Sequence, residues 1–142
     1  MWLVDSNVLL YAVDRRSPHH AASRAWLQRS LAGPESVGIA WSSVHAFLRL
    51  STSASMFTTP LSAEEACRQI RSWLDAPAAL LVEPSARHAD VLCGLLDATG
   101  TAGNLVADAH LAAIATEHAA TIVTFDADFL RFPGVRSQRP TG

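Results

Sequence analysis

The sequence predicts an α/β protein, built as a three-layer α/β/α sandwich around a mostly parallel central sheet. Three observations support this prediction. Short apolar runs of strand length alternate with longer segments in which apolar residues recur at helical spacing. Two of the short runs end in an aspartate. The 142 residues show no break in composition and no internal repeat, which predicts one domain over residues 1–142.

The N-terminal part of the chain is predicted to form a strand and two helices. Trp2–Val4 is an apolar run of strand length, and Val8–Val13 continues with helical character. Ser17 offers an N-cap to a second helix, and Pro18 suits its first position. Gly33 stops the apolar spacing of that helix, so the second helix is expected to end there.

The middle of the chain is predicted to add two strands and two helices. Val37–Trp41 is the second apolar strand, and a helix that carries Phe47 follows it. Ser62 and Glu65 have the spacing of a capping box, which marks the start of the next helix. Ala79–Val82 is the third strand. The alternation of strands and helices therefore continues through this part of the chain.

The C-terminal part is predicted to complete the sheet. Ser85 is expected to cap a helix that ends at Gly100, and Asn104–Ala119 is a further helix. Thr121–Thr124 is the fourth strand, and Val135 marks a short fifth. Because strands alternate with helices throughout, the sheet is expected to be mostly parallel and covered on both faces.

Composition limits the classes of function. The net charge of −2 does not indicate a nucleic-acid binder, although all eleven basic residues are arginine, whose guanidinium suits phosphate. Codon bias in a GC-rich genome explains the arginines equally well. Cys67 and Cys93 lack metal-ligand spacing and are expected to be buried apolar residues in a reducing, cytoplasmic compartment. No apolar run approaches the roughly 18 residues of a membrane span, so no membrane partner is expected.

Aspartates occur where a parallel sheet gathers its ligands. Asp5 ends the first strand and Asp126 ends the fourth, so both are expected at the carboxyl edge of the sheet. Asp108 lies in an otherwise apolar helix, and Asp128 follows Asp126 by two residues. Converging carboxylates require shared protons or a bound cation. Oxygen ligands without nearby cysteine or paired histidine favour Mg²⁺ or Mn²⁺, which act on phosphodiesters through activated water.

Each aspartate also has a structural interpretation. Asp5 could cap the helix that starts near Asn7. Asp126 and Asp128 could simply form a turn. Asp108 is harder to explain in this way, because an aspartate in mid-helix lowers helix propensity and its neighbours are apolar. The joint placement at two matching strand ends favours a site.

Three segments carry a resemblance to a known family, and they are LVDSNVLLYA, FLRLST and GNLVADAHLAAIATEHAATIVTFDADFLRFPGV. The chain resembles PIN-domain ribonucleases of the VapC toxin type, from bacterial type II toxin–antitoxin pairs, and is most similar to the actinobacterial branch. The resemblance implies the PIN-like sandwich and Mg²⁺-dependent endonucleolytic cleavage of RNA, with Mn²⁺ as a substitute. It also implies a VapB-type antitoxin partner and a homodimer that assembles with the antitoxin into a larger complex.

The resemblance also implies roles for individual residues. The family's metal-binding aspartates fall on Asp5, Asp108 and Asp126, and Asp128 matches a frequent additional catalytic acid. The predicted substrate-binding residues are Asn7, Arg49, Asn104 and Thr124. Arg15, Arg16 and Arg131 could also hold the RNA backbone, although simple solvated charge explains each of these arginines, and Arg49, as well.

The sequence departs from the family at one position. Many members carry a glutamate on the helix after the second strand, where this chain has Ala46. His45 points roughly 100° away around a helix and is a poor substitute. The alternative function is therefore a catalytically weakened PIN-like module that binds RNA or protein. A phosphatase or receiver domain, which also places acids at strand ends, would need a lysine that this chain lacks.

Apolar and aromatic residues outside the acid pattern have several interpretations. Trp41 could stack on a base, although packing is the simpler role. His19 and His20 are expected at an exposed helix start. Candidate lining residues of an antitoxin groove are Leu27, Leu31, Leu48 and Met56, and core burial explains the first three equally well.

Overall fold

The computed structural model describes residues 1–141, which form a five-stranded sheet with helices on both faces. The strands are β1 (Trp2–Val4), β2 (Val37–Ala40), β3 (Ala79–Val82), β4 (Thr121–Val123) and β5 (Arg136–Gln138). The helices are α1 (Ser6–Val13), α2 (His20–Leu31), α3 (Trp41–Ser51), α4 (Ala63–Leu74), α5 (His88–Thr99) and α6 (Val106–Glu117). Two 3-10 turns occupy Gly103–Leu105 and Ala127–Arg131.

The strand order is β3-β2-β1-β4-β5, and every neighbouring pair is parallel. This confirms the predicted parallel sheet. Val4, the last residue of β1, lies opposite Val123 of β4 and Ile39 of β2. Because β1 and β4 are neighbours in the middle of the sheet and end in register, the residues that follow them meet at the carboxyl edge.

The sheet separates two hydrophobic cores. Leu3 and Ile122 face the core formed with α5 and α6, whereas Val4 and Val123 face the core formed with α1, α2, α3 and α4. All four of these side chains are fully buried. Successive strand residues therefore point to opposite layers, as the period of a strand requires. This confirms the predicted three-layer sandwich.

Two serines predicted to be helix N-caps close separate turns instead. The Oγ atom of Ser17 accepts a hydrogen bond from the backbone N of His19 at 3.1 Å, and α2 begins only after this turn. The Oγ atom of Ser85 accepts one from the backbone N of Arg87 at 3.1 Å, and α5 again begins later. The predicted starts were wrong because a serine hydroxyl satisfies a turn N–H as well as a helical one.

Other predicted features were partly wrong. Trp41 is the first residue of α3 and not the end of β2, because the strand passes into the helix without a loop. The fifth strand follows Val135 and does not include it. Gly103 has a φ angle of 59°, so a 3-10 turn precedes α6 where a continuous helix was expected. Cys93 is exposed and Cys67 is partly buried, which contradicts the expected burial of both cysteines.

The remaining helix signals agree with the structure. The backbone N of Ser62 donates to Oε2 of Glu65 at 2.8 Å, and the backbone N of Glu65 donates to Oγ of Ser62 at 3.1 Å, which confirms the capping box. Gly100 terminates α5 in the left-handed conformation with φ of 67°. Among residues 1–141, no helix combines the length and apolar character needed to cross a bilayer.

Candidate active site

The carboxylate of Asp5 is held by side chains from both central strand ends. Oδ2 of Asp5 accepts hydrogen bonds from Oγ1 of Thr124 at 2.7 Å and from Nδ2 of Asn7 at 2.8 Å. Oδ1 accepts a longer one from Oγ of Ser6 at 3.3 Å. Asp5 occupies the N-cap position of α1 but its side chain makes no capping hydrogen bond. The capping interpretation therefore does not account for this aspartate.

Thr124 connects Asp5 to the acids that follow β4. Its side chain is buried, and besides donating to Asp5 its Oγ1 accepts from Nδ2 of Asn7 at 3.0 Å and from the backbone N of Asp126 at 2.9 Å. Oδ1 of Asn7 accepts from the backbone N of Phe125 at 3.3 Å. These bonds fix the orientation of Asp5 relative to the loop after β4. The predicted substrate contacts of Asn7 and Thr124 stay predictions, since both side chains are engaged within the protein.

Three other carboxylates converge beside this network. They are Asp108, in the first turn of α6, and Asp126 and Asp128, which follow β4. One carboxylate oxygen from each of the three lies within 4.8 Å of the other two. Asp108 is half-buried, and the other two are exposed. Asp126 caps the 3-10 turn, because its Oδ1 accepts from the backbone N of Asp128 at 2.8 Å. Asp5 lies outside this group of three, although the sequence placed it among the metal ligands.

The four carboxylates influence one another electrostatically. Burial, and then the charges of Asp126, Asp5 and Asp128, raise the pKa of Asp108 to about 6. Burial also raises the pKa of Asp5, against the opposing effect of hydrogen bonds from Thr124 and Ser6, and the charge of Asp126 adds to the increase. Like charges held this close favour protonation or a cation. The site is therefore poised to accept positive charge.

The donor set fits a hard divalent cation. Among residues 1–141, the three-membered group of possible metal ligands consists of Asp108, Asp126 and Asp128, so every donor is a carboxylate oxygen. Such oxygens suit Mg²⁺ and Mn²⁺ better than Zn²⁺. Asp5 adjoins the group and couples to it through charge.

The helix α3 borders the site but adds no carboxylate to it. Oγ of Ser43 donates to the backbone O of Val4 at 3.0 Å, which places the first turn of α3 against the end of β1. Ala46, where the resemblance led us to expect a glutamate, follows one turn later, and its side chain offers no oxygen. Arg49 is exposed in the last turn of α3, and Asn104 is exposed in the turn before α6. Their contacts with substrate stay predictions.

Sequence reasoning missed two features next to the acids. Ser6 donates to Asp5 and is adjacent to it in the sequence. The rings of Tyr11, His19 and Phe125 form a mutual cluster beside the loop after β4. One signal was available, because Tyr11 lies four residues after Asn7 and thus on the same face of α1. His19 was expected at an exposed helix start and is instead half-buried in this cluster.

Comparisons with known proteins agree with this fold. The PIN domain matches residues 2–135. Ribonuclease VapC37 of Mycobacterium tuberculosis is 52% identical over 140 residues, which cover 99% of this chain and 97% of that protein. The structure of VapBC2 from Rickettsia felis, bound to a promoter DNA fragment, has a TM-score of 0.70 at 20% identity and covers 97% of both chains.

A second solved structure is similar. Mycobacterium tuberculosis VapC20, described as a sarcin-ricin loop cleaving toxin, has a TM-score of 0.70 at 14% identity and covers 96% of this chain and 99% of that one. At such identities these two structures support the fold alone. The family is shown by the match to the PIN domain and by the identity to VapC37. The chain belongs to the PIN-domain family, among its VapC-type ribonucleases.

Proposed function

We propose that this protein is the toxin of a type II toxin–antitoxin pair and an endoribonuclease that hydrolyses RNA phosphodiester bonds with Mg²⁺. The observation that supports the proposal most is the group of Asp108, Asp126 and Asp128, whose carboxylate oxygens lie within 4.8 Å of one another beside the hydrogen-bonded Asp5. The name of the relative VapC37, a ribonuclease, supports the same reaction. Mn²⁺, with similar oxygen preference, serves as a substitute.

The protein's own residues have distinct roles in this proposal. Asp108, Asp126 and Asp5 hold the cation, and Asp128, whose carboxylate lies with those of Asp108 and Asp126, is a further acid that can contact it. Thr124 keeps the carboxylate of Asp5 in one orientation through their 2.7 Å hydrogen bond. A bound divalent cation supplies two effects, a lower pKa of the attacking water and neutralisation of charge on the phosphate. Hydrolysis by water leaves 5′-phosphate and 3′-hydroxyl ends.

The test is cleavage of a structured RNA by wild type and by Asp5→Asn and Asp108→Asn. We expect wild type to cut only with Mg²⁺ or Mn²⁺ and each variant to lose more than about 100-fold in rate, because loss even of a group that orients a ligand costs 10- to 100-fold. Asp97→Asn on the exposed face of α5 is the matched control and should be unaffected. Equal activity of wild type and Asp5→Asn would refute the site.

Ala46 supports a second candidate function. Because this position offers no oxygen, the site has fewer carboxylates than many members of the family, which favours an RNA- or protein-binding module with weakened catalysis. A Mg²⁺ titration separates the two candidates, since the binding module shows no metal-dependent cleavage at any concentration. Cleavage gained by Ala46→Glu in an otherwise inactive protein would support the module.

A groove away from the acids is a candidate site for the antitoxin. It has a volume of about 730 Å³, and its lining comes from α1, α2, α4 and the adjoining connectors. Leu27, Leu31 and Trp73 border it but are only 2%, 6% and 7% exposed, so core burial, which the sequence left as the alternative for both leucines, accounts for them. Met56 lines an adjacent pocket of about 320 Å³, whereas Leu48 packs against the core and lines neither.

The charged residues that line this groove favour a partner segment of opposite charge. Arg15, Arg24 and Arg68 line the groove, where Arg68 is paired with Glu64 at 2.7 Å and Glu65 contributes one negative charge. An amphipathic segment with acidic residues complements such a surface.

We further propose that the protein is a cytoplasmic homodimer, that residues 1–142 act as one domain, and that the dimer joins the antitoxin in a larger complex.

A further inference from the structure

We propose that the rings of Tyr11, His19 and Phe125 form a stacking site for one unpaired nucleobase of the RNA, next to the phosphate that is cleaved. The inference rests on the proposed ribonuclease function and adds the recognition of single-stranded RNA to it. We refer to these three residues as the ring cluster.

The ring cluster is defined by close contacts between its members. The His19 and Phe125 rings stack with centroids 4.2 Å apart and an interplanar angle of 26°. Tyr11 meets Phe125 edge-on at 5.5 Å and 65°, and it meets His19 at 5.2 Å and 44°. All three residues are half-buried, so each retains some surface in solvent. The cluster therefore keeps part of its surface in solvent beside the carboxyl edge of the sheet, while Phe125 also packs against the core formed with α1, α2, α3 and α4.

The ring cluster and the acids share one segment of backbone. Phe125 lies between Thr124, which holds Asp5, and Asp126, which belongs to the carboxylate group. The backbone N of Phe125 donates to Oδ1 of Asn7 at 3.3 Å, and Tyr11 follows Asn7 by one turn of α1. A base that stacks here would therefore belong to a nucleotide close along the RNA to the one whose phosphate lies at the acids.

The chemistry of the surroundings favours single-stranded RNA as the occupant. Unpaired bases stack on phenylalanine, tyrosine and histidine rings, and this contact tolerates many sequences. The carboxylates alone would repel the RNA backbone, so binding requires attraction from neighbouring groups. Arg15 and Arg16 are both exposed on the connector that leads from α1 to His19 and can contact flanking phosphates. Stacking on the rings and attraction of phosphates by the guanidinium groups together would offset the repulsion between the carboxylates and the RNA backbone.

A purely structural role is the competing explanation. The ring cluster could serve only to fasten the connector between α1 and α2 onto β4. However, this connector has a separate anchor, because Nδ1 of His20 is hydrogen-bonded to the backbone O of Tyr11 at 2.9 Å. A test must therefore separate loss of a ring from loss of apolar packing. Phe125→Leu removes the ring and keeps an apolar side chain, whereas Phe125→Tyr keeps the ring.

The experiment measures binding without cleavage. Fluorescence anisotropy in EDTA compares a single-stranded oligoadenylate of about twelve nucleotides with an abasic ribose-phosphate chain of the same length. We expect wild type and Phe125→Tyr to bind oligoadenylate about 10-fold more tightly than the abasic chain. Phe125→Leu and His19→Leu should lose about 10-fold on oligoadenylate and less than about 2-fold on the abasic chain.

Leu130→Ala is the matched control, because Leu130 is an exposed apolar residue of the loop after β4 and carries no ring. It should bind both probes as wild type does. Equal weakening of both probes by Phe125→Leu, or no preference of wild type for oligoadenylate, would overturn the stacking site. Melting temperatures near that of wild type show that the variants fold. Absence of Mg²⁺-dependent cleavage by wild type, with the binding preference intact, rejects the proposed nuclease and leaves the stacking site.

Discussion

At the scale of single residues, the site places side chains where they weaken the fold. Asp108 is half-buried among three other carboxylates, and its pKa is raised to about 6 by burial and by those neighbours. Thr124 illustrates the opposite case, since its buried hydroxyl is satisfied by three partners within the protein. The sequence pointed to Asp108 by its place in an apolar helix, and the family resemblance pointed to Thr124 beside the last acid. It could not show that Thr124 faces Asp5 and not the solvent, because that depends on the register of β1 with β4.

The raised pKa of Asp108 leads to a prediction about the stability of the fold. A carboxylate whose pKa is higher in the folded state destabilises that state once it is ionised, so metal-free wild type should lose stability as the pH rises from about 4 through 6. Asp108→Asn removes this effect. We expect the variant to be about 1 kcal/mol more stable at pH 8, after allowance for solvent screening, which raises its melting temperature by about 3 °C.

Thermal melts in EDTA at pH 4 and pH 8 measure this effect. The difference between Asp108→Asn and wild type should be small at the lower pH, where the wild-type carboxyl is protonated in the folded state. An asparagine variant that melts below wild type at pH 8 would contradict the charge repulsion inferred for the site.

At the scale of secondary structure, α5 and α6 are joined by a polar network. Glu117 of α6 accepts hydrogen bonds from Nδ1 of His88 at 2.7 Å and from both the backbone N and the Oγ of Ser85. Nε2 of His88 lies 2.8 Å from Nδ1 of His110. Burial acts to raise the pKa of Glu117, but hydrogen bonds from His88 and Ser85 outweigh it and hold this pKa below its usual range. The network thus ties the turn before α5 to the end of α6.

Glu117→Gln tests this connection between the helices. A carboxylate with a lowered pKa stabilises the fold above its unfolded pKa, and that stability is lost as the pH falls through the folded value. We therefore expect Glu117→Gln to be about 1 kcal/mol less stable than wild type at pH 7, since it loses charge-assisted hydrogen bonds. Denaturant titrations should show the difference shrinking below about pH 4, and a difference that is constant over the whole pH range would argue against the network.

The starts of helices were the least predictable elements. Ser17 and Ser85 each satisfy a backbone N–H in a turn, and neither starts the helix that follows. A hydroxyl serves either purpose, and only the path of the neighbouring chain decides between them. By contrast, Ser62 and Glu65 satisfy each other reciprocally, which is a stronger signal and was predicted correctly.

At the scale of the whole molecule, the parallel sheet and the approach of distant aspartates followed from the alternation of strands and helices. The edge strand β5 was only partly anticipated, because Arg136–Gln138 has no apolar residue and its pairing with β4 comes from the backbone. The two grooves were not predictable in outline, since their walls come from several separate segments. The sequence thus predicted the individual helices and strands better than the grooves that form between them.

The proposed antitoxin groove gives a prediction at this scale. Ser72 is an exposed residue of α4 that lines the groove, so Ser72→Trp should fill part of it without disturbing the core. We expect about a 10-fold loss of affinity for the proposed VapB-type antitoxin, and RNA cleavage within about 2-fold of wild type. Calorimetry with Ala86→Trp, on the other face of the sheet, provides the control, and undiminished binding by Ser72→Trp would place the antitoxin elsewhere.

The neighbouring positions of β1 and β4 in the sheet have a consequence for synthesis of the protein. Asp5 leaves the ribosome well before Thr124 and Asp126, which complete its surroundings. A nascent chain therefore carries Asp5 before it contains the other carboxylates of the proposed site. Under the proposed function, the protein would therefore be unable to cleave its own messenger RNA until most of the chain has been translated.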